Sequence, residues 1–512
     1  MSSGGSAGSG GKSGSGGSVS SGGSSGSGGK SGSGGSAGSG GSSGSGGLAG
    51  SGGSGTSTGC TFTQSSSTAK IATVGIVKWS TTLSGMSSAH IDFGLDTSYG
   101  MTAPVDTPVS GTNTTLLLGM KASKTYHYRI TATGGGMSGS GSSSGSSGSS
   151  GGDCTSDDYT IKTGALANGL PTITVTNNKA SALYGGFLIT AQFMASNGSQ
   201  GSPAYILDAD GQVVWAYDVG QPQMTGARMS YDGKFMWINN VNVTTGGTGS
   251  GTAYVHRVSM DGATDDNLSS KFTGLNHQLT VLPDETIAFY AYGSNGCEDI
   301  KEYSPTTGNV TTIINSGTAQ GGASACHVNN IQYSKVDDTL VFSDLDNQTI
   351  TKVTRGSNSK AVWTINGSHA TLTNDGWSGW KGSEHGIHLL GLDDSKQDHI
   401  LFFNNNSSFS MGGAGSSGGT GNGSLAIEIK LDLSTKKVAK VWSFQGAANL
   451  QNDIMGDIQR LPNGNTVVAF STKGAIEEVD SGGNILSDWS FPLGAEFGYI
   501  EKRATLYGPP PK

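Results

Sequence analysis

Three histidines, His277, His327 and His385, are the side chains in this sequence best suited to chemistry. His277 opens HQLTVLP, His327 opens HVNNIQY and His385 lies in EHGIHLL, and each leads into an alternating apolar run. Imidazole is a good neutral nucleophile that titrates near neutrality, so imidazoles sharing one cavity can divide nucleophilic and acid–base work. A lone histidine at a strand end is more often a hydrogen-bonded structural residue. Three at equivalent positions of successive repeats point instead to a common site. His388 follows His385 by three residues, an odd offset that sends the two to opposite faces of a strand, so it is expected to be structural. His369, in NGSHATL, and His399, in KQDHILFF, carry no comparable signal. Three histidines with an open position can hold zinc, but no HxH or HExxH spacing is present, so neither a metal nor another cofactor is expected.

The elements that position these residues read as strands. AYILDADGQVVWAYDV, AIEIKLDLSTKKVAKVWSF and IEEVDSGGNILSDWSF each read strand, polar turn, strand, and alternate with units such as HQLTVLPDETIAFYA and IQRLPNGNTVVAFS. Two hairpins make a four-stranded sheet, and about six such units arranged radially make an all-β propeller over residues 167–512. A large sandwich does not explain the repeated pairing of a DG-type hairpin with a PNG-type hairpin. Ring closure calls for a strand near Thr172 to Ala191 that completes the last blade. Trp215, Trp363, Trp442 and Trp489 follow polar turns in the same slot of their repeats and are expected to pack on outer strands.

Residues 57–166 hold short alternating strands, among them TVGIVKWST, SAHIDFGLD, TYHYRITATG and DYTIKTG, which predict a sandwich of about 100 residues. Trp79, the Gly94 turn after IDF, KASKTYHYRI and the closing TIKTG resemble a fibronectin type III-like domain, which implies a spacer or interaction module. A Gly/Ser insert at 135–152 interrupts its last hairpin and reads as a loop tip. Residues 1–56 are nearly all Gly and Ser and are expected to be a disordered tether, because they offer too little apolar surface to offset ordering entropy. The net charge of -8 argues against an electrostatic grip on nucleic acid or an anionic membrane, leaving small molecules or proteins as partners. No apolar run reaches spanning length. Four cysteines without a CxxC favour an oxidising compartment, with Cys60–Cys154 and Cys297–Cys326 the preferred of three pairings. An exported protein, periplasmic, secreted or at the cell surface, is therefore expected, with its export signal outside this sequence.

From about residue 180 to 508 the chain resembles the arylsulfate sulfotransferase family. The resemblance is carried by NHQLTVLPDETI, CHVNNIQY, EHGIHLL followed by ILFFNNN, MGDIQRLPNGNTVVAF and YIEKRATLY. It implies transfer of a sulfuryl group from an aryl sulfate ester to a phenol without a nucleotide donor. By position, His385 becomes the nucleophile that carries a transient sulfohistidine. His277 becomes acid to the departing phenolate and base to the incoming phenol, while His327 and Asn329 bind the sulfuryl oxygens. Trp377 and Trp380, in NDGWSGWKGSEH, are candidates to wall an aryl pocket, and the loop at 406–423 to fold over its mouth. One position departs from the family pattern: Leu345 stands where an arginine usually clamps the sulfuryl group. Losing such a donor costs on the order of 10² to 10³ in rate. Lys352 and Arg355 are near in sequence, but strand geometry turns neither obviously inward. The competing expectation is a non-catalytic, surface-displayed binding or scaffold propeller.

Overall fold

The computed structural model describes residues 60–134, 153–194, 201–240, 253–293, 295–374, 384–390, 399–406, 423–492 and 495–510. The Gly/Ser tether, the 135–152 insert, Trp377, Trp380 and all but the ends of the 406–423 loop lie outside the described residues.

The described chain is nearly all β. Between Phe62 and Lys162, a three-stranded and a five-stranded antiparallel sheet share a core of Val77, Trp79, Ile91, Phe93, Tyr128 and Ile130. Trp79 buries its ring there and donates its indole N–H to Thr115 Oγ1 at 3.1 Å, so the polar end of this large side chain is satisfied.

Between Thr174 and Arg503 the described residues form six further sheets, antiparallel but for the short edge strand Thr373–Asn374, which pairs parallel with Lys437–Gln445. We number these blades in the order of their inner strands: Phe187–Met194, Met224–Met229, Leu275–Val281, Val328–Ser334, Glu384–Leu390 and Asp457–Arg460. Their interiors show why the middle strands read as nearly continuous apolar runs. Thr339–Asp344, for instance, is buried along its whole length because it is covered on both faces by neighbouring blades. Trp215, Trp363, Trp442 and Trp489 all lie on the strands outward of those middle strands, in Val213–Tyr217, Ala361–Ile365, Lys437–Gln445 and Ile485–Ser490. Three of them are buried and Trp442 is half-buried.

Closure differs in part from the expectation. Thr174–Asn177 does join the sixth blade, but as an extra strand on its outer edge, paired with Ile485–Ser490. The ring is completed at its centre by the C-terminal segment, whose strands Glu496–Phe497 and Glu501–Arg503 pair with Phe187–Met194 of the first blade. Gln459 then links the sixth blade to this segment, accepting from Lys502 N at 2.7 Å and donating to Lys502 O at 3.0 Å. Just beyond, Tyr507 reaches the first sheets, accepting from Leu118 N at 2.7 Å and donating to Leu116 O at 3.0 Å. Gly262 marks another such contact: its φ is 72°, and a Cβ there would meet Ile71 Cγ1 at 2.9 Å.

Arg503 is the pin of this closure. It is 1% exposed, pairs with Glu501 at 2.6 Å, and donates to Gly508 O at 2.9 Å and to Ser230 O of the second blade at 3.3 Å. Arg503→Ala is expected to cost roughly 3–5 kcal/mol, because a half-buried carboxylate and several carbonyls lose their partner. Urea denaturation would register this as a lower midpoint.

Candidate functional site

His277, His327 and His385 arrive from the third, fourth and fifth blades and meet. The ring centroid of His277 is 5.3 Å from that of His327 and 5.9 Å from that of His385.

Each is placed by a local irregularity that neighbouring groups hold in position. The strand carrying His277 loses register with its neighbour between Leu275 and Leu279, and His277 itself takes a left-handed backbone conformation with φ 49°. Such a conformation costs about 1–3 kcal/mol for a non-glycine residue and persists only where the surroundings enforce it. Here the His277 carbonyl accepts from Thr225 Oγ1 at 2.7 Å and Asn239 Nδ2 at 3.0 Å, both from the second blade.

His327 immediately precedes its inner strand. Its N–H donates to Asp344 Oδ1 at 3.1 Å, and the next N–H, of Val328, donates to Glu298 Oε1 at 3.2 Å. Cys326, one residue before, is disulfide-bonded to Cys297, one residue before Glu298. The third blade thus holds His327 by a covalent bond and a carboxylate.

His385 is 4% exposed, and its Nδ1 lies 2.6 Å from Asn405 Oδ1. Gly386 follows because a Cβ there would come within 2.6 Å of Asp457 Cα, so the fifth and sixth inner strands pass too closely for a side chain.

Burial is the main cause of the electrostatics. It pushes His385 down to about 4, against the Asn405 hydrogen bond and with help from His327. It pushes His277 well below its ordinary value, with His327 and His385 adding to the effect. His327 is lowered by burial too, opposed by Asp346, Asp344 and Asn329. At neutral pH the cluster therefore consists of uncharged imidazoles, which is the form that attacks or accepts a proton. Among the described residues no lysine or arginine contributes to the electrostatics of these three rings.

Asn329 is fully buried beside this cluster, its side-chain amide close enough to His327 to favour protonation of that ring but in no hydrogen bond of regular geometry. Its carbonyl accepts from Tyr499 OH at 2.6 Å, which fixes the backbone here. Asn276 Oδ1, His277 Nδ1, Gln278 Nε2 and Glu298 Oε2 are likewise buried without partners. Buried polar atoms are normally satisfied, so unused hydrogen-bonding capacity is concentrated here, on the third and fourth blades. Glu298 is pushed up to about 8, first by burial and further by Asp344.

Leu345 lies in the turn after Thr339–Asp344 and donates its N–H to His327 O at 2.8 Å, so the position does stand beside the cluster. Lys352 and Arg355 bring no replacement cation: Lys352 pairs with Asp337 at 2.5 Å and Arg355 with Glu302 at 2.6 Å. His388 sits three residues along the strand from His385, where its Nδ1 accepts from Arg460 N at 2.7 Å. There it lines a separate cavity of about 870 Å³ with Arg228, Gln332, Asp457 and Arg460. Among the described residues no group of three His, Cys, Asp or Glu side chains is arranged to hold a metal ion, and no helix is long and apolar enough to cross a membrane. All four cysteines are paired, Cys60 with Cys154 and Cys297 with Cys326, which fits an oxidising compartment.

Residues 315–487 match the arylsulfotransferase (ASST) family. The arylsulfotransferase match takes in His327, Asn329, Leu345 and His385; His277 lies before the matched residues, and its ring stands 5.3 Å from that of His327 and 5.9 Å from that of His385. No curated protein matches the sequence. Solved structures similar to it include TolB from Acinetobacter baumannii, 13% identical, with 62% of this chain and 66% of that chain covered and a TM-score of 0.40. Virginiamycin B lyase from Staphylococcus aureus is 12% identical, with 62% and 88% covered and a TM-score of 0.34.

Sequence reasoning did not single out Asn405, Glu298, Gln278 or Thr225. The NNN at 404–406 was visible as a motif, but its side chains had no assigned partners. Asn404 in fact donates to Glu384 at 3.3 Å and Asn406 to Gly423 O at 3.1 Å, while Asn405 meets His385.

Two measurements check this description. His385 has a folded value near 4 against an ordinary 6.5, so between those limits the unfolded chain binds a proton that the folded chain does not. Stability should fall as pH drops from about 6.5 to about 4, His385 alone contributing on the order of 3 kcal/mol, and urea midpoints across that range would reveal it. Replacing both Cys297 and Cys326 by alanine opens a link across 29 residues and should cost about 3–4 kcal/mol. The same variant should broaden the ring resonances of His327 and leave those of His388 sharp.

Proposed function

We propose that this protein transfers a sulfuryl group from an aryl sulfate ester to a phenolic acceptor through a sulfohistidine on His385, without a nucleotide donor. The observation that carries the reading is the meeting of His277, His327 and His385, together with the arylsulfotransferase match over residues 315–487.

In the first half-reaction the lone pair of a neutral His385 nitrogen attacks sulfur, the N–S bond forms and the S–O bond to the aryl group breaks. His277 gives its proton to the departing phenolate. The bound ester is an anion, and its charge favours protonation of His277 before transfer. In the second half His277 takes the acceptor's proton, the phenol oxygen attacks sulfur and the N–S bond breaks, restoring the enzyme. His327 and the Asn329 amide are the donors to the sulfuryl oxygens, whose charge needs oriented dipoles in a water-poor site. Covalent capture divides one hard transfer into two easier ones and predicts ping-pong kinetics. In this reading the two sheets between Phe62 and Lys162 are a fibronectin type III-like spacer. The Gly/Ser segment then tethers an exported protein at a surface, and Trp377 and Trp380 wall the aryl pocket.

One observation favours the second reading, a binding propeller without catalysis: Leu345 stands where the resemblance calls for an arginine, and among the described residues the charges that act on His327 are those of Asp344 and Asp346. Incubation with an aryl sulfate and a phenol, followed by intact-mass analysis, separates the two. Transfer and a mass gain of one sulfuryl group, both lost in His385→Ala, are expected. Undiminished transfer by that variant would sink the assignment. Leu345→Arg is expected to raise the rate, by up to about 10² to 10³. No transfer by either the natural protein or Leu345→Arg would leave the binding reading in possession.

A further inference from the structure

We propose that Asn405 is a positioning residue that fixes the tautomer of His385 and thereby selects Nε2 as the nitrogen that does the chemistry. The mechanistic consequence rests on the reading of His385 as nucleophile, but the tautomer can be tested without it.

Asn405 follows the strand His399–Asn404 of the fifth blade and is fully buried. Its Nδ2 donates to Asn452 O and to Met455 O, each at 2.8 Å. Both amide hydrogens are thus used. Turning the amide over would set its oxygen against two carbonyl oxygens, so the hydrogen-bond network itself decides which atom faces the imidazole. That atom is Oδ1, 2.6 Å from His385 Nδ1. An amide oxygen only accepts, so the hydrogen between them belongs to Nδ1, and Nε2 keeps its lone pair.

The segment supplying the two carbonyls is itself anchored. Asn452 N donates to Ser424 Oγ at 2.8 Å, and Ser424 Oγ donates to Asn405 O at 3.1 Å. Asn452 also uses its own amide on Ile454 O at 2.8 Å and Met455 O at 3.0 Å. The carbonyls that orient Asn405 are therefore held from three directions.

The choice of an amide over a carboxylate has a chemical meaning. A carboxylate on Nδ1 orients the ring and also stabilises the imidazolium, which suits a general base that must hold a proton. An amide orients the ring without that charge stabilisation, which suits a nucleophile that must stay unprotonated in a buried site.

The test is ¹⁵N spectroscopy of histidine-labelled protein at neutral pH, with His385→Ala to assign the signal. The expected spectrum has a protonated Nδ1 and an unprotonated Nε2 on His385. A proton on Nε2 in the natural protein would overturn the proposal, and the tautomer itself is read from the natural protein, the variant serving only for assignment. Asn405→Ala is expected to give a mixture of tautomers and to lower kcat for sulfuryl transfer about 10- to 100-fold with little change in donor KM. A pure Nδ1–H form in that variant would also overturn it. Asn405→Asp is expected to shift His385 towards the doubly protonated form over a wider pH range. If the natural protein has the expected tautomer yet forms no sulfohistidine, the positioning role stands and the catalytic reading of His385 falls.

Discussion

The inner strands of the second to fifth blades all break register at the same end. The slips fall between Met224 and Gly226, Leu275 and Leu279, Val328 and Asn330, and Glu384 and Ile387. A regular strand sends successive side chains to opposite faces, here into the spaces between blades. A bulge re-aims a side chain at the cost of a ladder bond, and placing one at the same end of successive inner strands gathers their side chains at one place. The imidazole cluster depends on this constraint. Its cost is met by particular groups: Thr225 and Asn239 on the His277 carbonyl, Asp344 and Glu298 on successive N–H groups at His327, and the disulfide beside them.

Desolvation gives the cluster its chemical character. Imidazoles in this setting resist protonation, first because burial disfavours the charge and then because His327 and His385 act on His277 and His327 on His385. The polar groups around them follow the same logic, being amides rather than cations: Asn276, Gln278 and Asn329 bring dipoles without the cost of burying charge. Asp344 is a carboxylate among them, and its oxygens accept from His327 N, Gln320 Nε2 at 2.7 Å and Asn347 Nδ2 at 3.0 Å, which commits it to holding this segment in place.

Further along the same strands the chemistry is different. Arg228 pairs with Asp457 at 3.3 Å, Asp457 also accepts from Ile500 N at 2.9 Å, and Arg460 pairs with Glu428 at 2.9 Å. Charges here are matched to one another and to the backbone that closes the ring. His388 belongs to this structural set, which explains how two histidines three residues apart in one motif come to differ in role. The bulge between Glu384 and Ile387 interrupts simple alternation, so an offset count alone does not place His388. The Arg460 N–H that it accepts does.

Local pattern determined much of this protein. Alternation and paired turns marked the strands, the repetition of two hairpins marked the radial sheets, and the tryptophans after each polar turn marked the outer strands. All of these depend on side-chain period and turn chemistry, which act over a few residues. The equivalence of His277, His327 and His385 was legible for the same reason, since repeats carry equivalent positions to equivalent places. What only the tertiary structure decided are pairings between residues far apart in sequence. The C-terminal strands lie on Phe187–Met194, and Asn405 joins His385 to the carbonyls of Asn452 and Met455. Glu298 ties the segment of His277 to that of His327 through Asn276 and Val328. An asparagine or a glutamate in a sequence announces hydrogen-bonding capacity but not its partner, and in a closed ring the partner is set by which blades become neighbours.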